Sequence, residues 1–504
     1  MKNSLIILLI LSGILQILGQ KCQPKDYGNG GTVCVCNANH CDTVEPVKKL
    51  DPGYYVTYTS NKEGLRFEKE EGKFGPDEEA LKNIIIIRQD GYQEVLGWGG
   101  TFTDAAGINI NSLPSAASEK LMRSYFSEEG IEYNLCRVPL GASDFSAHPY
   151  SYHDEEDDQL PNFKLAEEDY TLKIPLIRKA MELTDGDLKL FTSAWIAPKW
   201  MKENGEYSGM FGFLKESKYQ VWANYFRKFL DEYKKENITF WGITTGNEPS
   251  LGLIPAKIPS VAWTVEGMQS FIMNNLGPTI RNSDHSDLKI MSLDDQRVLI
   301  PVVEAVLEKK EVSDYIDGVA VHWYTDLLIG PDLLSGLHEK HPDKFILGTE
   351  ACSGATPFGS HVILGSWLRG EYYAKDIIQD LNHWATGWVD WNLALNLTGG
   401  PTYIDNFVDS PIIVNASSGE FYKQPTFYAR GHFSKFIPRG SVRIYSSQFD
   451  DKVPVTAFRR PDGGVAIIIL NQYEHPVKGK IFDIRRGEIV FNLSSKSLTS
   501  LLYW

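Results

Sequence analysis

The sequence predicts an α/β protein, a (β/α)8 TIM barrel joined to a discontinuous β-sandwich, with a small disulfide-containing β segment on its N-terminal side. Three observations carry this expectation. Eight short apolar runs alternate with amphipathic helices between about residues 95 and 430, the order of a closed parallel barrel. Nearly every run ends in a polar or aromatic residue, as barrel strands do where chemistry gathers. The stretches on either side carry short strand patterns instead. A doubly wound open sheet is disfavoured, because no glycine-rich phosphate loop follows the first strand.

Taken in order, residues 1–20 read as a signal peptide. Lys2 is the positive flank, Leu5 to Leu18 the apolar run, and Gly19 and Gln20 the cleavage neighbours. The run is short of the roughly 20 apolar residues that a membrane span requires. Residues 21–44 hold four cysteines, Cys22, Cys34, Cys36 and Cys41. In an exported chain they read as two disulfides, with three connectivities open, rather than as a zinc site, for which a C-x-C spacing is wrong. Cys136 and Cys352 stand in apolar strand-like contexts and read as free thiols. Asn237, Asn396, Asn415 and Asn492 head glycosylation sequons.

Residues 45–90 include Tyr54 to Tyr58 and Ile84 to Ile87, a first part of the sandwich. The barrel is read over 91–431. Its strands are expected to end at Trp98-Gly99-Gly100, Cys136-Arg137-Val138, Thr192 to Trp195, Thr244-Thr245-Gly246, Met291 to Asp294, Val321 to Tyr324, Leu347 to Glu350 and Val389 to Asn392. Val221, Tyr225, Phe229 and Tyr233, with Trp222, Phe226 and Leu230 beside them, share one face of a helix that must pack on the sheet. A second helix runs from about Leu172 to Leu183. Residues 432–504 supply the rest of the sandwich, with Pro461-Asp462-Gly463-Gly464 as a turn between two strands.

The chain has 504 residues and a formal charge of −15. That charge argues against a nucleic-acid partner, because phosphate binding needs a basic face. It suits an acidic compartment, where part of it titrates away.

Two carboxylates stand out. Glu248 stands in Thr245-Gly246-Asn247-Glu248-Pro249, which closes the fourth predicted strand, and a partly desolvated glutamate there can hold a proton beside a leaving oxygen. Glu350 closes the seventh, where a charge without a purpose would only be desolvated. Strands four and seven lie nearly across a barrel from each other. The two carboxyls can therefore face one substrate, and a gap of about 5–5.5 Å would make one an acid/base and the other a nucleophile, with retention of configuration.

Glutamates ending strands four and seven, the first preceded by Asn247, are the pattern of the large barrel clan of retaining glycosidases. More closely, the chain resembles the lysosomal glucosylceramidases, or acid β-glucosidases. The resemblance lies in Cys34-Val35-Cys36-Asn37-Ala38, Ser124-Tyr125-Phe126-Ser127-Glu128-Glu129-Gly130, Leu293-Asp294-Asp295-Gln296-Arg297, Val321-His322-Trp323-Tyr324, Asp390 to Asn396, Asn406 to Pro411 and His432 to Pro438. It spans essentially the whole chain after the signal peptide.

The resemblance implies hydrolysis of β-glucosylceramide to glucose and ceramide, with Glu248 as acid/base, Glu350 as nucleophile, and no metal or organic cofactor. It also implies roles for seven further residues. Arg137 supports the nucleophile's charge, Asp144 binds distal glucose hydroxyls, and Trp195 and Trp391 wall the sugar. Asn247 holds the 2-hydroxyl, and Tyr324 and Asn406 line the rim. His322 reads as a hydrogen-bonded neighbour rather than a catalyst. From the same source come a lysosomal or secreted location, contact with an acidic membrane lipid surface, and a saposin-type activator protein. The chain departs from the family at 251–260, where aromatic residues are expected at the cleft rim and Lys257 and Ser260 stand instead. The departure leaves the chemistry unaffected and bears on the aglycone preference alone.

Overall fold

The computed structural model describes residues 20–76, 82–355 and 359–504. All but the last residue of the expected signal peptide lies outside them.

Eight parallel strands close into a barrel in chain order. They are β1 (Gly97–Thr101), β2 (Leu135–Leu140), β3 (Lys189–Ala194), β4 (Gly242–Thr244), β5 (Lys289–Gln296), β6 (Gly318–His322), β7 (Phe345–Glu350) and β8 (Ala385–Asn392). Each contains or adjoins one of the eight expected strand ends. Leu135, Phe191, Met291, Ala320, Leu347 and Val389 form one buried plug. Side chains on a strand alternate with a period of two, so the residues two places further on face the same interior one layer higher. Those residues include Arg137, Ser193, His322, Thr349 and Trp391. The period thus sets an apolar floor under a polar, chemically equipped layer.

Strand β5 breaks this rhythm. Its register shifts between Leu293 and Asp295, where Leu293 (φ 77°) and Asp294 (φ 52°) both adopt left-handed backbone. A bulge of this kind re-aims side chains. Here it leaves Asp294, not Leu293, bonded to Arg137, Thr244, His322 and Thr349.

The expected helices are present. Tyr219–Lys235 buries Val221, Trp222, Tyr225, Phe226, Phe229, Leu230 and Tyr233. The second begins as a π turn, Asp169–Lys173, and continues as α-helix over Ile174–Leu183.

Both flanking parts of the chain meet in one nine-stranded sheet. Asn83–Glu94 pairs with Val442–Ser446 and Val477–Asp483, and Tyr54–Asn61 pairs with Ser497–Tyr503. Ile84, Ile86, Ile444, Ile467, Ile481, Phe491 and Leu501 share its core. A smaller sheet was not foreseen. Pro24–Asp26 and Thr32–Asn37 join Glu420–Lys423, Ile412–Asn415 and Leu395–Asn396, all from the segment after β8. Apart from Thr32–Asn37, its strands have only two to four residues and leave little alternation to read. Cys22 is bonded to Cys34 and Cys36 to Cys41, which selects one of the three connectivities; Cys136 and Cys352 are free and buried. Among the sequon asparagines, Asn237 and Asn492 are exposed, whereas Asn415 Nδ2 donates to the Tyr422 hydroxyl.

Candidate active site

At the C-terminal mouth of the barrel lies a cavity of about 550 Å³, lined among others by Asp144, Trp195, Glu248, Tyr324, Glu350, Trp391 and Asn406. Of the nine residues expected at the site, these seven face it. Arg137 and Asn247 do not line it and sit buried behind it.

Glu350 is the last residue of β7. Glu248 lies four residues beyond β4, with φ 39° and ψ 61°, just before a 3-10 turn over Pro249–Leu253. A non-glycine residue held in left-handed backbone is strained by about 1–3 kcal/mol, a cost that clusters at functional sites. The turn brings Glu248 back over the barrel mouth. One of its carboxylate oxygens, one of Glu350's and a nitrogen of His322 all lie within 4.8 Å of one another.

Each carboxylate is held by its own set of donors. Arg137 Nη1 donates to Glu350 Oε2, and the Tyr324 hydroxyl donates to Oε1 at 2.9 Å. Arg137 Nη2 reaches Asp294 Oδ2 at 2.6 Å and Asn247 Oδ1 at 2.7 Å, and its Nε reaches Ser193 at 3.0 Å. Its guanidinium also lies 4.4 Å from the Trp195 ring centre. On the other side, Glu248 Oε1 accepts from Gln296 Nε2 at 2.6 Å and contacts His322 Nδ1 at 3.1 Å. His322 Nε2 meets Asp294 Oδ1 at 3.0 Å.

Burial alone would lower the His322 imidazole, but the charge of Glu350 and the hydrogen bonds to Asp294 and Glu248 outweigh it and push it up to about 10. Both ring nitrogens then donate. Burial likewise opposes the charge on Asp294, yet Arg137 and His322 hold its carboxyl well below the usual range. Burial raises Glu350, against the pull of His322 and Arg137. Arg137 thus bonds both Asp294 and Glu350, whereas Gln296 and His322 meet Glu248 at Oε1 alone and leave its second oxygen out of these contacts.

The sugar-sized part of the cavity is walled by Trp195 and Trp391, stacked at 4.9 Å and 18°. Asp144 accepts from Asn406 Nδ2 at 2.8 Å through one oxygen, while the other is buried without a partner. Its pKa is pushed up to about 7 by burial and then by the charge of Glu350. Asn247 Nδ2 is also buried and unpartnered. An acceptor and a donor waiting unpaired are what a polyhydroxylated ring can satisfy. Tyr324, expected at the rim, is deeper and touches Glu350 itself. Ser260 faces neither the cavity nor its mouth, and its carbonyl accepts from Lys202; Leu251 and Ile258 occupy that side. Lys257 lines a neighbouring recess that shares Asp405 with the cavity.

Three clusters of the described residues have ligand atoms close enough for a metal. Cys36 and Cys41 are disulfide-bonded, beside Asp42. In the cluster of Glu248, His322 and Glu350, both ring nitrogens of His322 are already engaged, Nδ1 with Glu248 and Nε2 with Asp294. In the third, Asp326, Asp376 and Asp380 surround Arg297, which bonds Asp380 and lies 2.5 Å from Asp326.

Sequence reasoning did not single out Asp294 or Gln296. Both stand in Leu293-Asp294-Asp295-Gln296-Arg297 at the end of an apolar strand, and the rule that picked Glu350 applies to Asp294 as well.

A profile of the Glycosyl hydrolase family 30 TIM-barrel domain matches residues 95–437, and one of the Glycosyl hydrolase family 30 beta sandwich domain matches 440–501. Putative glucosylceramidase 3 of Caenorhabditis elegans is 43% identical over 99% of this chain and 98% of its own length. Lysosomal acid glucosylceramidase of Mus musculus is 43% identical over 92% of each chain. Among solved structures, SrfJ from Salmonella typhimurium superposes with a TM-score of 0.83 at 26% identity, covering 89% of this chain and 99% of that one.

Proposed function

The chain belongs to glycosyl hydrolase family 30, and from that membership we propose that it cleaves β-glucosylceramide into glucose and ceramide by double displacement. Glu350 attacks the anomeric carbon while Glu248 gives its proton to the departing ceramide oxygen. Glu248, now a carboxylate, takes a proton from water, which releases glucose from Glu350 with net retention. The observation that carries this reading is the approach of the two carboxyls within 4.8 Å across one cavity. Retaining pairs stand about 5–5.5 Å apart, whereas inverting pairs need about 6.5–9.5 Å to admit a water.

The side chains divide the remaining work. Arg137 keeps Glu350 ionised and aimed, and Tyr324 fixes its other oxygen. Asn247 Nδ2 donates to the sugar 2-hydroxyl, a contact that strengthens as the oxocarbenium-like state forms. Asp144 and Asn406 bind distal hydroxyls, and Trp195 and Trp391 cover the apolar face of the ring. A 2-deoxy-2-fluoro-β-glucoside with a good leaving group should accumulate as an adduct, and peptide mapping should find it on Glu350. Labelling elsewhere, or none, would refute the assignment. A panel of aryl glycosides should show preference for β-glucoside over xyloside, fucoside or galactoside.

The lipid aglycone must be drawn from a membrane. No helix among the described residues is long and apolar enough to cross one. The loops after β3, β4 and β6 expose Met210, Phe211, Leu253, Ile254, Leu327 and Leu328 on the cavity's face of the barrel, which supports contact with a lipid surface there. An acidic lipid and a saposin-type activator belong to the same reading, taken from the family.

A lysosomal or secreted location is supported by the acid-adapted interior. Burial, first among the causes, raises Asp144 to about 7, Asp295 to about 6 and Asp390 to about 6. A carboxyl raised on folding contributes stability that is present below its unfolded pKa and lost as pH rises through the folded value. His322, raised to about 10, loses stability in the same direction above about 6.5. His432, which burial lowers to about 3, opposes this only as pH falls below about 6.5. The melting temperature should therefore be roughly 5 °C higher at pH 5.5 than at pH 8. Thermal denaturation across that range checks the sign.

A further inference from the structure

Behind the turn that carries Glu248 lies a second opening, a slot of about 110 Å³. Its walls are mostly apolar and come from three places: Pro249 and Leu253 of the turn, Trp263 and Met268 at the start of the next helix, and Leu299 to Val306 after β5. Sites for drug-sized ligands usually measure about 300–1,000 Å³, so this slot admits only something slender. Its lips are exposed: Leu253 and Val302 are each 46% accessible.

Trp263 brings an unpaired polar group to the walls. Trp263 is 9% accessible, and its Nε1–H is buried with no hydrogen-bond partner. A buried donor left unmade costs about 1–3 kcal/mol, so an acceptor is called for. Asp295 also borders the slot, but its oxygens already accept from Ser250 N and Oγ and from Gln296 N. Its proximity disfavours an anionic ligand. The ligand that fits is a single hydrocarbon chain carrying an uncharged carbonyl.

We propose that this slot takes one ester-linked acyl chain of a bilayer lipid, with the ester carbonyl accepting from Trp263. The lipid source follows from continuity. Leu251 of the Pro249–Leu253 turn faces the catalytic cavity while Leu253 of the same turn faces the slot. A bilayer presenting substrate to the cavity therefore meets the slot's lips at once. The proposal rests on the lipid-substrate reading for its context, not for its test.

The test uses full-length protein and vesicles of phosphatidylcholine and phosphatidylserine whose acyl chains are brominated near the ester. Bromine quenches a tryptophan only on close approach, so the Trp263 component is the quenching lost on Trp263→Phe. A clear component should appear in the wild type and vanish in Val302→Glu, which puts a charge on the exposed lip. Hydrolysis of a soluble aryl β-glucoside by Val302→Glu should stay within about twofold of wild type. Equal quenching of wild type and Trp263→Phe would overturn the proposal, as would quenching by dispersed brominated N-methyldodecanamide but not by vesicles. Failure of aryl glucoside hydrolysis in the wild type would sink the glucosidase reading and leave this result untouched.

Discussion

Glu350→Gln should lower turnover of an aryl β-glucoside by about 10⁴-fold or more, as expected when a group that acts as part of a unit is removed. The amide keeps the size of the carboxylate and can still accept from Tyr324, so loss of fold is not the expected cause. What it lacks is the negative charge that makes a carboxylate oxygen nucleophilic enough to bond the anomeric carbon. Truncation to alanine with added azide makes the roles separable. In Glu350→Ala the azide enters the vacated space, displaces the leaving group directly and yields the α-glucosyl azide. In Glu248→Ala the glucosyl-enzyme still forms from an activated aryl glucoside, and azide attacks from the opposite face to give the β-glucosyl azide. If the two variants gave products of the same configuration, the assignment of nucleophile and acid/base would fall.

Arg137→Met is expected to be the most damaging change outside that pair. Arg137 is fully buried and bonds Glu350, Asp294, Asn247 and Ser193 at once. Removing one partner of a buried ion pair costs about 3–5 kcal/mol, because a charge is left without compensation. Chemical or thermal denaturation should show that loss. The remaining activity should fall by about 10²–10³-fold, the scale found when one preorganised electrostatic group is removed. The pH dependence carries the diagnostic sign. Without the guanidinium, burial raises Glu350 unopposed from that side, so the acidic limb of kcat/KM should move to higher pH. Arg137→Lys keeps the charge but cannot serve four acceptors in one plane. It should recover part of the stability and little of the rate. An acidic limb unchanged in the methionine variant would mean that Arg137 only fills space.

The eight strands could be read because each is a short apolar run with an abrupt polar end. The same abruptness exposed Glu350, and the opposition of strands four and seven gave its partner. The charged layer beneath was harder. Arg137, Thr349 and Trp391 follow the two-residue period from the apolar floor, but Asp294 reaches the interior only through the bulge in β5, and nothing in Leu293-Asp294-Asp295 announces two left-handed residues in succession. The position of Glu248 is of the same kind. The sequence placed it at a strand end, whereas the chain passes through Thr245, Gly246 and Asn247 before turning it inward. Gly246, at φ 142°, permits that passage. Ser260 shows the opposite failure, where nearness in sequence to the cleft suggested a rim contact and the backbone took the side chain elsewhere.

The distance in sequence between partner strands has a consequence for biosynthesis. Thr32–Asn37 pairs with Glu420–Lys423, and Tyr54–Asn61 pairs with Ser497–Tyr503. A ribosome adding about 5–20 residues per second delivers those partners roughly 20–90 s after the early strands emerge. Through that interval Thr32–Asn37 and Tyr54–Asn61 each wait with one edge open, while the two short disulfide loops, spanning 12 and 5 residues, and the local pairings with Pro24–Asp26 and Glu68–Lys73 can close without the rest. The newborn enzyme thus depends on being shielded until its last segment arrives, and a chain cut short near its end would leave its beginning unpaired as well.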